Sequence, residues 1–249
     1  MGIVNVTPDS FTDGGEFFSK EHAIEHGKKL LEDGADILDL GGESSRPGAV
    51  PVAPDEELRR VLPVITELAK FGAIISVDTR HSYVMKKAIE AGATVINDVT
   101  ALEGEGSLDV AANSNACVVL MHMRGSPSTM MNDTVYDNLV SEVSDYLGHR
   151  ISVCLSAGIG LDRIAIDPGF GFGKTREQNL ELIENLGYLE KHQCPIMVGL
   201  SRKFGKHKPT KSRLPESLAV AVKSVINGAD IVRVHEVAET RDALSAIHY

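Results

Sequence analysis

Short apolar runs recur along this chain, and each breaks off at a polar or charged residue before a helix-like segment follows. The runs are Ile3-Val4 into Asn5, Ile37-Leu38 into Asp39, Ile74-Ile75 into Asp78 and Val95-Ile96 into Asn97. They continue as Val118-Val119-Leu120 into His122, Ile164-Ala165-Ile166 into Asp167, Ile196-Met197-Val198 into Ser201 through Lys203, and Ile231-Val232 into Arg233 and His235. Runs this short and this uniformly apolar suit parallel strands buried on both faces. Between them, apolar positions at helical spacing predict helices over residues 19–33, 56–70, 83–91, 136–157, 178–192, 215–227 and 238–248, with a short one at 108–113. Ser19 is placed as the cap of the first, and Ala23, Ile24, Leu30 and Leu31 as its buried stripe. Eight such units in 249 residues are the count and size of an α/β architecture of one kind, the (β/α)₈ TIM barrel, read as a single domain over residues 1–249.

A weak internal repeat supports serial strand–helix units. Gly34-Ala35-Asp36, Gly92-Ala93-Thr94 and Gly228-Ala229-Asp230 each close a helical segment just before an apolar run. Glycine is the usual residue after a helix because it enters the left-handed conformation cheaply. The longer strand-to-helix loops, residues 7–19, 41–54 and 123–135, would lie on one rim and cover a substrate. The chain starts almost inside its first strand, so a preceding β-segment is expected to be missing.

Composition narrows the classes of partner. A formal charge of −10 argues against a nucleic-acid surface, though a local basic pocket for a small anion is compatible with it. Cys117, Cys154 and Cys194 form neither a disulfide framework nor a CxxC, and are read as packing residues. With no signal peptide and no apolar stretch long enough to span a bilayer, a cytoplasmic location and no membrane partner are expected.

Two motifs are weighed and set aside. His22-Ala23-Ile24-Glu25-His26 matches the HxxEH zinc pattern, but on a helix of the outer ring it reads as a solvated face. Gly173-Lys174-Thr175 resembles the end of a phosphate-binding P-loop, yet Pro168 stands where that pattern needs Gly. It reads instead as a tight Gly-rich turn carrying functional side chains.

The strand tips carry the chemistry. Singly, an Asp or Asn after a strand often caps a helix or pins a turn. Together, Asp78, Asn97 and Asp167 would converge near the barrel axis, where three acceptors are costly unless matched by donors. A flat heterocycle with an amino group and a ring N–H supplies such donors, and Lys203 could reach its other edge. Arg46, Arg233 and His235, with the neutral oxygen of Asn5, form a second group suited to a diphosphate and Mg²⁺. The alternative for Arg233 is an ion pair with a neighbouring carboxylate. Asp39 and His122 have no firm assignment and are expected to be structural.

The stretches 5–15 (NVTPDSFTDGG), 39–48 (DLGGESSRPG), 76–79 (SVDT), 96–98 (IND), 167–174 (DPGFGFGK), 201–203 (SRK) and 233–235 (RVH) resemble, in order, the signatures of the dihydropteroate synthases. The resemblance implies a barrel that condenses 4-aminobenzoate with a dihydropterin methyl diphosphate, giving dihydropteroate and diphosphate. It implies Asp78, Asn97, Asp167 and Lys203 at the pterin, and Asn5 on Mg²⁺. Ser45, Arg46, Arg233 and His235 would surround the diphosphate, and Phe11, Pro47, Phe172, Ser201 and Lys203 would frame the aminobenzoate. Asp78, Lys203, Arg233 and His235 are the residues placed closest to the chemistry. Such enzymes are typically cytoplasmic homodimers of folate synthesis and sulfonamide targets. The family pattern has Thr at the place of Ser45, Asp at the place of Glu236 and a longer stretch between Lys203 and Arg213. A methyltetrahydrofolate:corrinoid methyltransferase, which shares the Asp/Asn/Asp cradle, should lack the first signature and Ser201-Arg202-Lys203. A non-catalytic pterin-binding paralogue is the other alternative.

Overall fold

The computed structural model describes residues 1–7, 15–44, 49–203 and 213–247, with backbone only for 15–19. Strands and helices alternate along it: β1 Gly2–Asn5, α1 Gly15–Glu32, β2 Ile37–Gly41, α2 Pro54–Ala69, β3 Ile74–Asp78, α3 Ser82–Glu90, β4 Val95–Asp98 and α4 Ser107–Ala112. Then come β5 Cys117–Met121, α5 Leu139–Ser156, β6 Ile164–Asp167, α6 Arg176–Glu184, β7 Met197–Val198, α7 Leu214–Ile226, β8 Ile231–Val232 and α8 Val237–Ser245. Strands β1 to β6 pair in parallel in chain order, and β7 pairs with β8. Parallel bridges Ile166 to Ile196 and Gly2 to Val234 join these two sheets at both edges. The second junction includes Ile3 N donating to the Val234 carbonyl at 2.9 Å and Val234 N donating to the Met1 carbonyl at 2.9 Å. The circuit therefore closes into a (β/α)₈ barrel, which leaves no unpaired sheet edge.

Strand side chains alternate between helices and axis. Leu38, Leu40, Ile75 and Val77 pack with Val61, Ile65 and Leu68 of α2, while Val118, Leu120, Ile164 and Ile166 pack with Val143, Leu147 and Ile151 of α5. Met1, Val95, Val119 and Met197, with Ile37, Ala165 and Ile231, form a separate apolar plug. These are the alternate positions of the same strands, so they fill the barrel floor. One register step further toward the C-terminal ends the inward positions turn polar. Asp39 stands opposite Ser76, and Asp78 opposite Asn97. Asp39 is thus an inward residue in the middle of β2 rather than a tip.

Helix ends follow local chemistry. Gly34, Gly92 and Gly228 take φ of 93°, 112° and 106° after α1, α3 and α7, and Gly158 after α5 is a fourth instance at 89°. In each the next residue's N–H returns to a carbonyl of the last turn, as in Ala35 to Leu30 at 2.8 Å and Ile159 to Cys154 at 3.0 Å. Asn138 caps α5 by accepting from Ser141 N at 3.1 Å, which starts that helix later than its periodicity implied. Helix α1 begins at Gly15, so Ser19 lies inside it and is not its cap. No breaker separates these positions, and Glu16 suits a helix N-terminus. The segment at 178–192 divides into α6 and a 3₁₀ stretch Leu186–His192, because Asn185 and Gly187 fall at the join. Cys154 and Cys194 are buried, whereas Cys117 is exposed and does not pack as expected. Among the described residues no helix is long and apolar enough to cross a membrane.

Candidate active site

Above the apolar plug lies a bonded polar network. Asp39 is wholly buried, and accepts from Ser76 Oγ at 2.5 Å, Asn97 Nδ2 at 3.2 Å and Arg233 Nε at 2.6 Å. Arg233 Nη2 donates in turn to Asp78 Oδ2 at 2.6 Å. One guanidinium therefore serves two carboxylates. Burial pushes Asp78 up to about 7; Arg233 opposes the shift and the Asp39 charge adds to it. Burial also works against the Arg233 charge, but Asp39 and Asp78 outweigh it and hold the guanidinium firmly protonated.

The β6 side is built on a turn. Asp167 Oδ1 accepts from Gly169 N at 2.7 Å, and burial raises its pKa against the pull of Lys203. Gly169, Gly171 and Gly173 all adopt positive φ, so the chain curls tightly from 169 to 173. Lys203 Nζ donates to the Phe170 carbonyl at 2.6 Å and lies 4.7 Å from the centroid of the Phe172 ring. Ser201 Oγ is 2.9 Å from His235 Nδ1 and donates to Glu236 Oε2 at 3.1 Å. Glu236 also receives Arg202 Nε at 2.7 Å, so the Glu at this place bridges the β7 and β8 loops.

Of the residues singled out in the sequence, Asp78, Asn97 and Arg233 share one hydrogen-bonded network, and Asp167 and Lys203 are coupled to it through charge. Arg233 makes the carboxylate ion pair that was its alternative reading. Each of the three acceptors is anchored through one atom only: Asp78 by Oδ2, Asn97 by Nδ2 and Asp167 by Oδ1. Their remaining oxygens have no protein partner among the described residues, and none of these is an enclosed atom. Asn5, half-buried at the end of β1, makes no side-chain hydrogen bond to any described residue. Phe11, Ser45, Arg46 and Pro47 lie outside the described residues, as does the stretch 204–212.

The neighbouring loop is tied at its ends. Glu43 Oε1 accepts from Val52 N at 2.9 Å and Arg80 Nη2 at 3.0 Å, and Glu43 Oε2 accepts from Arg80 Nε at 2.9 Å. A cavity of about 250 Å³ opens here beside Asp78, lined also by Thr79, Val99 and Ser126. The set-aside motifs have structural explanations. His22, Glu25 and His26 are exposed on α1. Thr175 caps α6 in a reciprocal box with Gln178, and Lys174 points inward and is 2% exposed. Asp39 and His122 hold neighbouring side chains in place, in keeping with the structural role expected of them, whereas the parts played by Ser76 and Lys174 were not read from the sequence. The signal for Asp39 and Ser76 was available in period two along their strands, but it needs the direction of the axis to be read.

A family profile described as pterin binding enzyme matches residues 1–235. The dihydropteroate synthase of Escherichia coli strain K12 is 43% identical over 252 residues, covering 99% of this chain and 89% of that protein. The enzyme of the same name from Neisseria meningitidis serogroup B, strain MC58, is 46% identical, covering 98% of this chain and 90% of its own. The chain belongs to the dihydropteroate synthase family. Solved members superpose closely. Yersinia pestis dihydropteroate synthase, in a sulfonamide drug complex, has a TM-score of 0.94 at 42% identity, covering 98% of this chain and 91% of that one. The Xanthomonas albilineans dihydropteroate synthase with 7,8-dihydropteroate scores 0.89 at 43% identity, covering 98% and 90%. The same enzyme with 4-aminobenzoic acid scores 0.92 at 46% identity, with the same coverage. Membership of the dihydropteroate synthase family, rather than of the corrinoid methyltransferases, agrees with the signatures at 5–15 and 201–203.

Proposed function

We propose that this protein is a dihydropteroate synthase, a transferase that joins 4-aminobenzoate to the methylene of (7,8-dihydropterin-6-yl)methyl diphosphate and releases diphosphate. The observation that carries the reading is the set of three singly anchored acceptors. Asp78 Oδ1, Asn97 Oδ1 and Asp167 Oδ2 remain for a ligand rich in N–H donors, and their other atoms fix them before it arrives. Such preorganisation means that little ordering is left to the binding step. An aminopterin offers those donors from its amino group and ring N–H. Lys203, between the Phe170 carbonyl and the Phe172 ring, bridges the pterin to the aminobenzoate, beside which Phe172 and Ser201 lie. Phe11 and Pro47, outside the described residues, are assigned to the aminobenzoate by the family resemblance alone.

An electron-rich dihydropterin stabilises a cation at its exocyclic methylene. The path therefore begins with departure of diphosphate and ends with attack by the arylamine nitrogen, which then loses a proton. That order calls for neutralising charge on the leaving group more than for a strong base. Arg233, already shared between Asp39 and the cradle carboxylate Asp78, links the pterin to the diphosphate, which Ser45, Arg46 and His235 would also contact. Mg²⁺ fits this site because Asn5 offers a neutral amide oxygen with no other bond among the described residues, and Mg²⁺ is commonly held by one or two protein oxygens plus phosphates and water. When bound it would supply further charge neutralisation. We propose in addition a cytoplasmic homodimer, and sulfonamides as competitors of 4-aminobenzoate, as the drug complex of the Yersinia pestis relative supports.

Diphosphate release should require both 4-aminobenzoate and Mg²⁺, and EDTA should abolish it. Tight pterin binding with no release under those conditions would point to a non-catalytic paralogue and refute the enzyme reading. Lys203→Ala should weaken both substrates, by roughly tenfold or more for each lost charge-assisted contact.

A further inference from the structure

Lys174 and His122 take no part in the chemistry above, yet both are buried beside it, at 2% and 4% exposure. Lys174 Nζ lies 3.0 Å from the Gly169 carbonyl, 3.0 Å from the Phe172 carbonyl and 3.4 Å from the His122 carbonyl. Its fourth neighbour is His122 Nδ1 at 2.9 Å. Two of the carbonyls belong to the two ends of the Gly169–Phe172 turn, and the third, with the ring nitrogen, belongs to His122 just past the end of β5. The ammonium therefore gathers the turn around itself and pins it to the neighbouring strand. The outer face of the same turn makes the contacts that matter to the site: Gly169 N to Asp167, the Phe170 carbonyl to Lys203, and the Phe172 ring under Lys203.

We propose that Lys174, held by His122, is a positioning residue that sets the Phe172 turn, and through it Lys203, for the arylamine. The inference rests on the synthase reading above. The donor pattern assigns His122 its tautomer. While Lys174 is protonated it has hydrogens but no acceptor, so in that state Nδ1 accepts and the ring proton sits on Nε2. Burial, with Lys174 beside it, pushes His122 down to about 3, consistent with a neutral ring. Burial likewise pushes Lys174 down to about 7, against which the Asp167 charge acts. Approach is so close that a Cβ on Gly169 would fall 1.8 Å from the His122 carbonyl oxygen.

The test pairs two substitutions that differ only in acceptor capacity. Asn places its side-chain oxygen near the position of a His Nδ1, whereas Leu offers no acceptor. Affinity for 4-aminobenzoate is measured calorimetrically with a pterin, diphosphate and Mg²⁺ present, alongside steady-state kinetics. Lys174→Met and His122→Leu should raise the aminobenzoate Kd and KM about tenfold, while pterin affinity measured alone changes less than threefold. His122→Asn should stay within about threefold of the unaltered protein in both. If Lys174→Met does not fold, the two His122 variants decide the matter. Equal aminobenzoate affinity for His122→Leu and His122→Asn, or a folded Lys174→Met with aminobenzoate Kd within twofold of the unaltered protein, overturns the proposal. Failure of the unaltered protein to release diphosphate overturns the synthase reading instead, and the calorimetric comparison still tests the turn.

Discussion

Replacing Asp39 by Asn leaves Arg233 with one carboxylate partner inside the barrel. The side chain keeps its shape, and much of its hydrogen bonding survives. Its carbonyl oxygen can take the place of Oδ2, which serves Arg233 and Asn97, while Ser76 turns its hydroxyl to accept from the new amide. What is lost is charge. Arg233 is 18% exposed at its side chain and Asp39 0%, so water replaces little of it. Removing one partner of a buried ion pair costs about 3–5 kcal/mol, and the retained hydrogen bonds place Asn at about 3. For a chain of this length that lowers Tm by roughly 6–12 °C. Asp39→Leu, which also strands the Ser76 and Asn97 donors, should cost about 5 kcal/mol or more. The same change removes a like charge from Asp78, so the Asp78 carboxyl should titrate lower than in the unaltered protein. Urea unfolding at pH 7.5, followed by circular dichroism, measures the first effect. An unfolding free energy for Asp39→Asn within about 1 kcal/mol of the unaltered protein would show that the network does not carry this stability.

Asp78 predicts a pH dependence of its own. Its folded pKa of about 7 lies above the ordinary 3.8, so its contribution is fully present below about pH 4 and is lost as pH rises through 7. Asp78→Asn, which mimics the protonated form, should therefore gain on the unaltered protein across that window, by up to about 4 kcal/mol, and then level off. A difference independent of pH between 4 and 8 would contradict the shift. Asp167→Ala removes an acceptor of the cradle and leaves the Gly169 N–H without its partner, so pterin affinity should fall by roughly tenfold or more. Unchanged pterin affinity in isothermal calorimetry would remove Asp167 from the cradle.

Order and type of the elements were legible in the sequence because the strands of a closed barrel are apolar on both faces and its helices are not. The Gly34, Gly92 and Gly228 stops were legible for a related reason, since a helix end needing positive φ selects glycine at the chain level. The acceptors Asp78, Asn97 and Asp167 stood out because each follows an apolar run. His122 also ends an apolar run, but its pairing with Lys174 was not legible, for the two sit 52 residues apart and meet only because β5 and β6 are neighbours. Thr175 was read within a turn, and only its bond to Gln178 N shows that it opens a helix.

The sequence by itself determined a barrel of eight strands, the residue types at its mouth and the family they resemble. Tertiary structure decided which of those groups share a charge. Asp39 and Arg233 are 194 residues apart along the chain and 2.6 Å apart in space, because β8 returns to close on β1 beside β2. Periodicity reports which face of an element is dry. It carries no information about which buried carboxylate meets which guanidinium, since that depends on how the strands stagger around the axis and on a desolvation cost felt only once the barrel has closed.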